Sequence, residues 1–346
     1  MITDLEYLQC IQGYEIVDCC VRSPVAMHLV GRHVLQGQKA GVFSEWKVSK
    51  RAISFFTDEA EGNRVGSIGL NNMERVSVGA AKLANGADQV IFIDTKREVF
   101  TRGGGFRGLE EPRPISQDGP MRGIVNRVRM IRGELYIAGG HRSVCRRRSV
   151  NDWESMCYDL PVPTLAEHED VERLRDMSFI DIDGFNAEDM YVVAGRGVVW
   201  HLQGKHWKRV AFPSNMFLES VCCGGDGQVY IGAQSGTVFR GRGEHWEMIH
   251  RGDMTLPFKD MVWHAGQLWC TSDYGLWTLH GGQIVSAHGH MPSDIFVCAG
   301  NLSVADGVML MAGRNGAAYH DGSDWRLIFN THQMEQRTAG KALGEG

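Results

Sequence analysis

The residue pattern of this chain returns on itself every 39 positions. At that spacing Tyr230 follows Tyr191, Gly236 follows Gly197, Phe239 follows Trp200, Gly243 follows Gly204, His245 follows His206 and Trp246 follows Trp207. Trp269, Gly275 and Gly282 continue the register, and Leu310, Gly316, Tyr319, Gly322 and Trp325 repeat it at slightly longer spacing. A period near 40 marks an array of supersecondary units, each burying its apolar face against its neighbours. In a chain of 346 residues this overrides the length prior, which alone allows two ordinary domains.

Within a unit the apolar period is two. Runs of about five residues, such as those holding Val229 with Ile231 and Val238 with Phe239, are bounded by Gly, Asp, Ser or Gln, which is a strand signature. The unit at 217–249 resolves into four strands joined by GGDG, AQSG and RGRGE, a four-stranded antiparallel meander. Comparable units fit 178–210, 258–287 and 298–329, and weaker ones fit 14–57, 74–109 and 123–157. The expectation is an all-β, seven-bladed β-propeller forming one domain over 1–330, with a frayed C-terminal tail at 331–346. Ring closure removes exposed sheet edges, and closure is expected to use the first residues, with the segment EYLQCI adding to the last blade. Three segments break the spacing as insertions on a rim, 58–73, 109–124 and 158–177, and the last has the charge pattern of a short helix.

Forty-three Gly against 9 Pro suit many tight turns and disfavour a helical solenoid. The net charge of −5 gives no global pull toward DNA or anionic lipid. No signal-peptide pattern opens the chain and no window approaches 18 uninterrupted apolar residues, so a cytoplasmic, non-membrane protein is expected. Nine Cys, an odd number, with adjacent pairs Cys19/Cys20 and Cys222/Cys223 pointing to opposite faces of their strands, fit reduced and mostly buried thiols.

The stretch FNAEDMYVVAGRGVVWHLQGKHW at 185–207 resembles degenerate propeller repeats in which an Asp–Val/Met–Tyr–Val–Gly strand is followed by spaced Gly and Trp residues. The resemblance covers 178–329 well. Cores such as CCGGDGQVYIGAQSGTVFRG are similar to those of bacterial propellers of the toxin-immunity type, within the wider superfamily of WD-, YVTN- and BNR-like propellers. WD repeats fit less well, because Trp207, Trp246 and Trp325 are followed by Lys, Glu and Arg, and no sialidase-type Asp box occurs. The resemblance implies a bacterial protein that binds a cognate toxin.

The chemistry-bearing residues read mainly as structural. Trp200, Trp207, Trp246, Trp269, Trp277 and Trp325 recur at blade positions where an aromatic packs between blades. His250, His264, His280, His288 and His290 lack carboxylates at metal-site spacing, so no metal is expected. The run Arg146–Arg148, with Arg142 before it, suits carboxylate or phosphate, but alternation puts Arg147 opposite its neighbours and leaves half the cluster on a solvated face. GGGFRG and RGRGE are turns, not phosphate loops. No nucleophile with a base and orienter is identifiable, so no catalytic residues, enzymatic activity or cofactor are expected.

The function expected is therefore non-enzymatic: an immunity protein that neutralises a toxin or effector protein by occlusion, with a nuclease as one candidate toxin. It is expected to be a monomer outside that complex and to make no direct nucleic-acid contact. The alternatives are a hydrolase or lyase with a central-channel site, and a general assembly factor or scaffold. Loops between second and third strands and loops between blades emerge on one face. There Arg142, Arg196, Gln234, Tyr274, Arg314, Met254, His290 and Met291 are the expected partner-binding residues, with Met216 and Leu256 beside them. The competing role for the Met and Leu residues is to plug the mouth of the ring.

Overall fold

The computed structural model describes residues 1–34, 44–117 and 120–340. Seven four-stranded antiparallel sheets follow one another, each a meander whose sequence neighbours are hydrogen-bonded neighbours. Their strands lie within 14–70, 76–109, 125–155, 179–209, 218–250, 260–286 and 301–330. The first strand of every blade packs against the first strand of the next, and Asn301–Ala305 of the seventh meets Tyr14–Ser23 of the first. The first strands thus form the inner wall of a closed ring. The Asp306–Gly307 turn shows how the chemistry sets the hairpins. Both residues have positive φ (47° and 80°), as a two-residue type I′ connection requires.

The apolar residues form seven wedges, each shared by two adjacent blades. The repeating aromatics of the second strands, Tyr136, Tyr191 and Tyr230, are buried in them, and Tyr230 turns its hydroxyl out to donate to Asp226 at 2.6 Å. The repeating Gly197 has φ 66°, and a Cβ there would stand 1.9 Å from the Ser214 carbonyl oxygen of the connection to the next blade. Trp207 is buried and donates from Nε1 to Met156 O at 2.8 Å, whereas its repeat partner Trp246 is only half-buried against Tyr191 and Phe212.

Three expectations are corrected. EYLQCI is not a strand. It lies in helix α1 (Asp4–Cys10), started by a Thr3–Glu6 capping box, whose Tyr7 and Cys10 fill the wedge between the last and first blades. The tail is not frayed as far as it is described. Asn330 caps helix α5 (Thr331–Thr338), which buries Met334 and packs on α1; residues 341–346 lie outside the described residues. Closure therefore uses two helices at the seam rather than a shared strand. Finally, 58–73 is not wholly an insertion. Val65–Leu70 is the fourth strand of the first blade, which thus extends past residue 57. The weaker 14–57 unit also contains 35–43, and the 109–124 insertion contains 118–119, which lie outside the described residues.

The 158–177 insertion forms two short helices, α2 (Leu165–His168) and α3 (Val171–Asp176), and α4 (Ser293–Phe296) sits between the last two blades. In a meander of this order, the second-to-third-strand turns and the interblade connections share one end of every strand. We call this end the upper face.

Candidate partner-binding face

The centre of the ring is charged. Inner strands of four blades contribute Asp18, Arg127 with Arg129, Asp183 and Asp260 around a cavity of about 250 Å³, with Asp181 behind the two guanidiniums. Arg129 donates to both oxygens of Asp181 at 3.1 and 3.0 Å and reaches Asp260 at 3.3 Å. Arg127 bonds Asp260, and its Nε lies 2.8 Å from Asp181. The carboxylates also tie blades together. Asp18 accepts from Val78 N at 2.9 Å, Asp181 from Val221 N at 2.9 Å, Asp183 from Cys223 N at 2.7 Å and Asp260 from Leu302 N at 3.0 Å. Burial pushes Asp18 and Asp183 up to about 6, against the pull of Arg127 and Arg129 respectively. Asp260 is also desolvated, yet the two guanidiniums hold it below the usual carboxylate range. Such a network joins blades at the axis, and its guanidiniums and carboxylates already serve one another. Among the described residues no group of His, Cys, Asp and Glu is arranged to hold a metal ion.

The sequence-derived binding residues converge on the upper face, and the structure separates them by availability. Tyr274 and Arg314 are each 80% exposed, Arg314 beside Glu15 at 2.9 Å. Arg196, Gln234 and His290 are exposed as well; Arg196 stacks over Phe217 and pairs with Glu172 at 3.2 Å. Arg142 is not a free loop cation. It is largely buried and clamps α2 through Glu167 at 2.7 Å. Met254 and Met291 pack partly into interblade wedges, Met254 against Gly236, so their short loops turn the thioethers inward. Met216 likewise packs into a wedge.

The basic run of the third blade is spent internally. Arg147 is buried, bonding Glu110 at 2.6 Å and Gln89 at 3.0 Å in the neighbouring blade, while Arg146 pairs with Glu134 and Glu154 and Arg148 with Glu154. The nine Cys are all free thiols, eight of them buried.

One feature of the upper face escaped the sequence reading. Helix α3 and the inner ends of the fourth and fifth blades border a groove of about 500 Å³, lined by Val171, Leu174, Ile180, Phe217 and Leu218 together with Arg175, Ser178 and Gly195, and with Glu219 among them. The available signal was a carboxylate inside the mostly apolar run FLESVCC.

No family model matches the chain. It is 33% identical over 258 residues to the immune protein Tsi7 of Pseudomonas aeruginosa, covering 72% of this chain and 79% of that protein. Among solved structures it is similar to YCF48 bound to a D1 peptide, with a TM-score of 0.58 at 10% identity over 93% of this chain and 94% of that one. It is similar to U3-55K with a TM-score of 0.55 at 13% identity, again over 93% and 94%. These two share the fold alone. Ring, blade order and the relative at one-third identity together define a seven-bladed propeller of the immune-protein class. Within that class, the chain belongs to the family of the immune protein Tsi7.

Proposed function

We propose that this chain neutralises one cognate toxin protein by seating it on the upper face and covering the toxin's working surface. The identity with Tsi7 over most of both chains carries this reading. The architecture supports occlusion, because a closed ring with its charges locked at the axis loses little conformational entropy when a partner docks. Exposed Tyr274, Arg196, Arg314, Gln234 and His290, from different blades, provide the aromatic and polar contacts that interfaces favour. The reading is of a binding protein without catalysis of its own, since the axial carboxylates are engaged in interblade bonds. Its place is the cytoplasm, in keeping with nine free thiols.

The test is co-expression with candidate toxins drawn from the neighbourhood of its gene. Growth should be restored, and purified toxin and chain should form a stoichiometric complex that abolishes toxin activity. Unrelieved toxicity with no complex would overturn the proposal.

A further inference from the structure

Buried carboxylates elsewhere in this molecule have partners: Glu110 has Arg147, Asp181 has Arg127 and Arg129, and Glu6 takes three backbone N–H groups. Glu219 is the contrast. It is the second residue of the strand Leu218–Cys223 and sits half-buried at the upper mouth of the inner wall. Among the described residues its carboxylate has no hydrogen bond or ion pair, and burial alone displaces its pKa upward. A partly desolvated carboxylate without a partner is unfavourable in the free protein and strengthens any cation that reaches it.

The surroundings narrow what that cation belongs to. The groove is walled mainly by Val171, Leu174, Ile180, Phe217 and Leu218, with Arg175, Ser178 and Gly195 completing the lining; this is an unsuitable surround for a hydrated metal ion and a suitable one for the stem of a long side chain. Val171 is 67% exposed at the rim. The adjoining segment 167–176 carries five carboxylates, Glu167, Glu169, Asp170, Glu172 and Asp176, against Arg173 and Arg175. Arg175 and Arg196 are both directed onto the Phe217 ring, at 5.6 and 5.0 Å from its centroid, and neither pairs with Glu219.

We infer that this groove is the anchor pocket for a loop of the toxin that inserts one lysine or arginine side chain, flanked by an apolar residue, to meet Glu219. The inference rests on the immunity reading and adds to it the chemistry of the contact. The apolar stem covers Phe217 and Leu218, and the cationic head replaces water at a carboxylate whose desolvation has already been met in folding. Such a preformed, partly dry acceptor is where interface binding energy concentrates.

Calorimetric titration of the purified full chain with the toxin that the co-expression test identifies, or with the candidate toxins if none is relieved, tests this. Glu219→Gln is expected to weaken binding at least tenfold with no fall in melting temperature, and Val171→Asp, at an exposed rim position, to weaken it by a similar factor. Glu219→Asp should retain part of the affinity. If wild type binds and both Glu219→Gln and Val171→Asp stay within twofold of it, the groove is not the anchor, although the immunity reading stands. If wild type does not bind the toxin, both readings fall. Should Glu219→Gln instead alter a monomer–dimer equilibrium of the chain without toxin, a second copy is the occupant and the inference is overturned.

Discussion

The axis of the ring and the groove at its upper mouth both place carboxylates on inner strands, and they use them in opposite ways. At the axis, Asp181 and Asp260 share two guanidiniums and tie one blade to another. One blade further round, Glu219 is half-buried at the mouth with no partner among the described residues. Burial of a charge is therefore not by itself a mark of function in this fold. A buried charge whose partners lie within the chain builds the ring, and one whose partner is missing points outward.

The sharpest way to break this contrast is to unpair the axis. Arg129→Ala leaves Asp181 and Asp260 without one guanidinium in a buried site, and is expected to destabilise the fold by roughly 3–5 kcal/mol in urea denaturation. A near-neutral result would mean that the axial charges are solvated and the distinction is false.

A second, smaller effect separates the axial carboxylates from one another. Asp18 and Asp183 titrate near 6 in the folded chain, above their ordinary 3.8. Folding therefore favours their protonated forms. Their contribution is fully present below 3.8 and is lost as pH rises through 6. Taken alone, each group adds stability of about 1 kcal/mol on going from pH 7 to pH 5. Asp260 has the opposite sign, and its contribution is lost only at still lower pH. Asp18→Asn should remove its share of the gain between pH 7 and 5, measured as the difference in urea midpoints. An unchanged difference would place Asp18 in water.

The smallest expected effect on stability lies in the groove. Glu219→Gln removes a charge that no described residue compensates, so the folding free energy should move by less than about 0.5 kcal/mol, or rise slightly. A loss of several kcal/mol would reveal an internal role for Glu219 and would erase the contrast with the axis.

Much of the fold was legible because its repeats are local. Gly197 and Gly236 mark close approaches of the interblade connections, and Tyr191 and Tyr230 mark wedges, so spacing alone located the blades. The fourth strand of the first blade was hidden because VGSIGL is a mostly half-exposed outer strand with two Gly and no aromatic. The use of the first residues at closure was legible, but their form was not: the Thr3–Glu6 capping box starts a helix that packs at the seam and joins no blade's sheet. The upper face itself was legible from loop order, since Arg196, Gln234, Tyr274 and Arg314 do fall together there. Their availability was not, because whether Arg142 is free depends on Glu167, and that contact exists only after the insertion has folded. That Glu219 lacks a partner was not legible for the same reason, as the missing partner of a charge is a property of three dimensions.

Hydrogen exchange of the full chain with and without the toxin that it neutralises on co-expression tests the central claim most directly. The account requires protection on binding over the connections at 158–178 and 212–219 and the upper turns around Arg196 and Tyr274, with the lower-face turns around Asp306 and Gly266 unchanged. Protection confined to the lower turns, or none in the presence of saturating toxin, would contradict it.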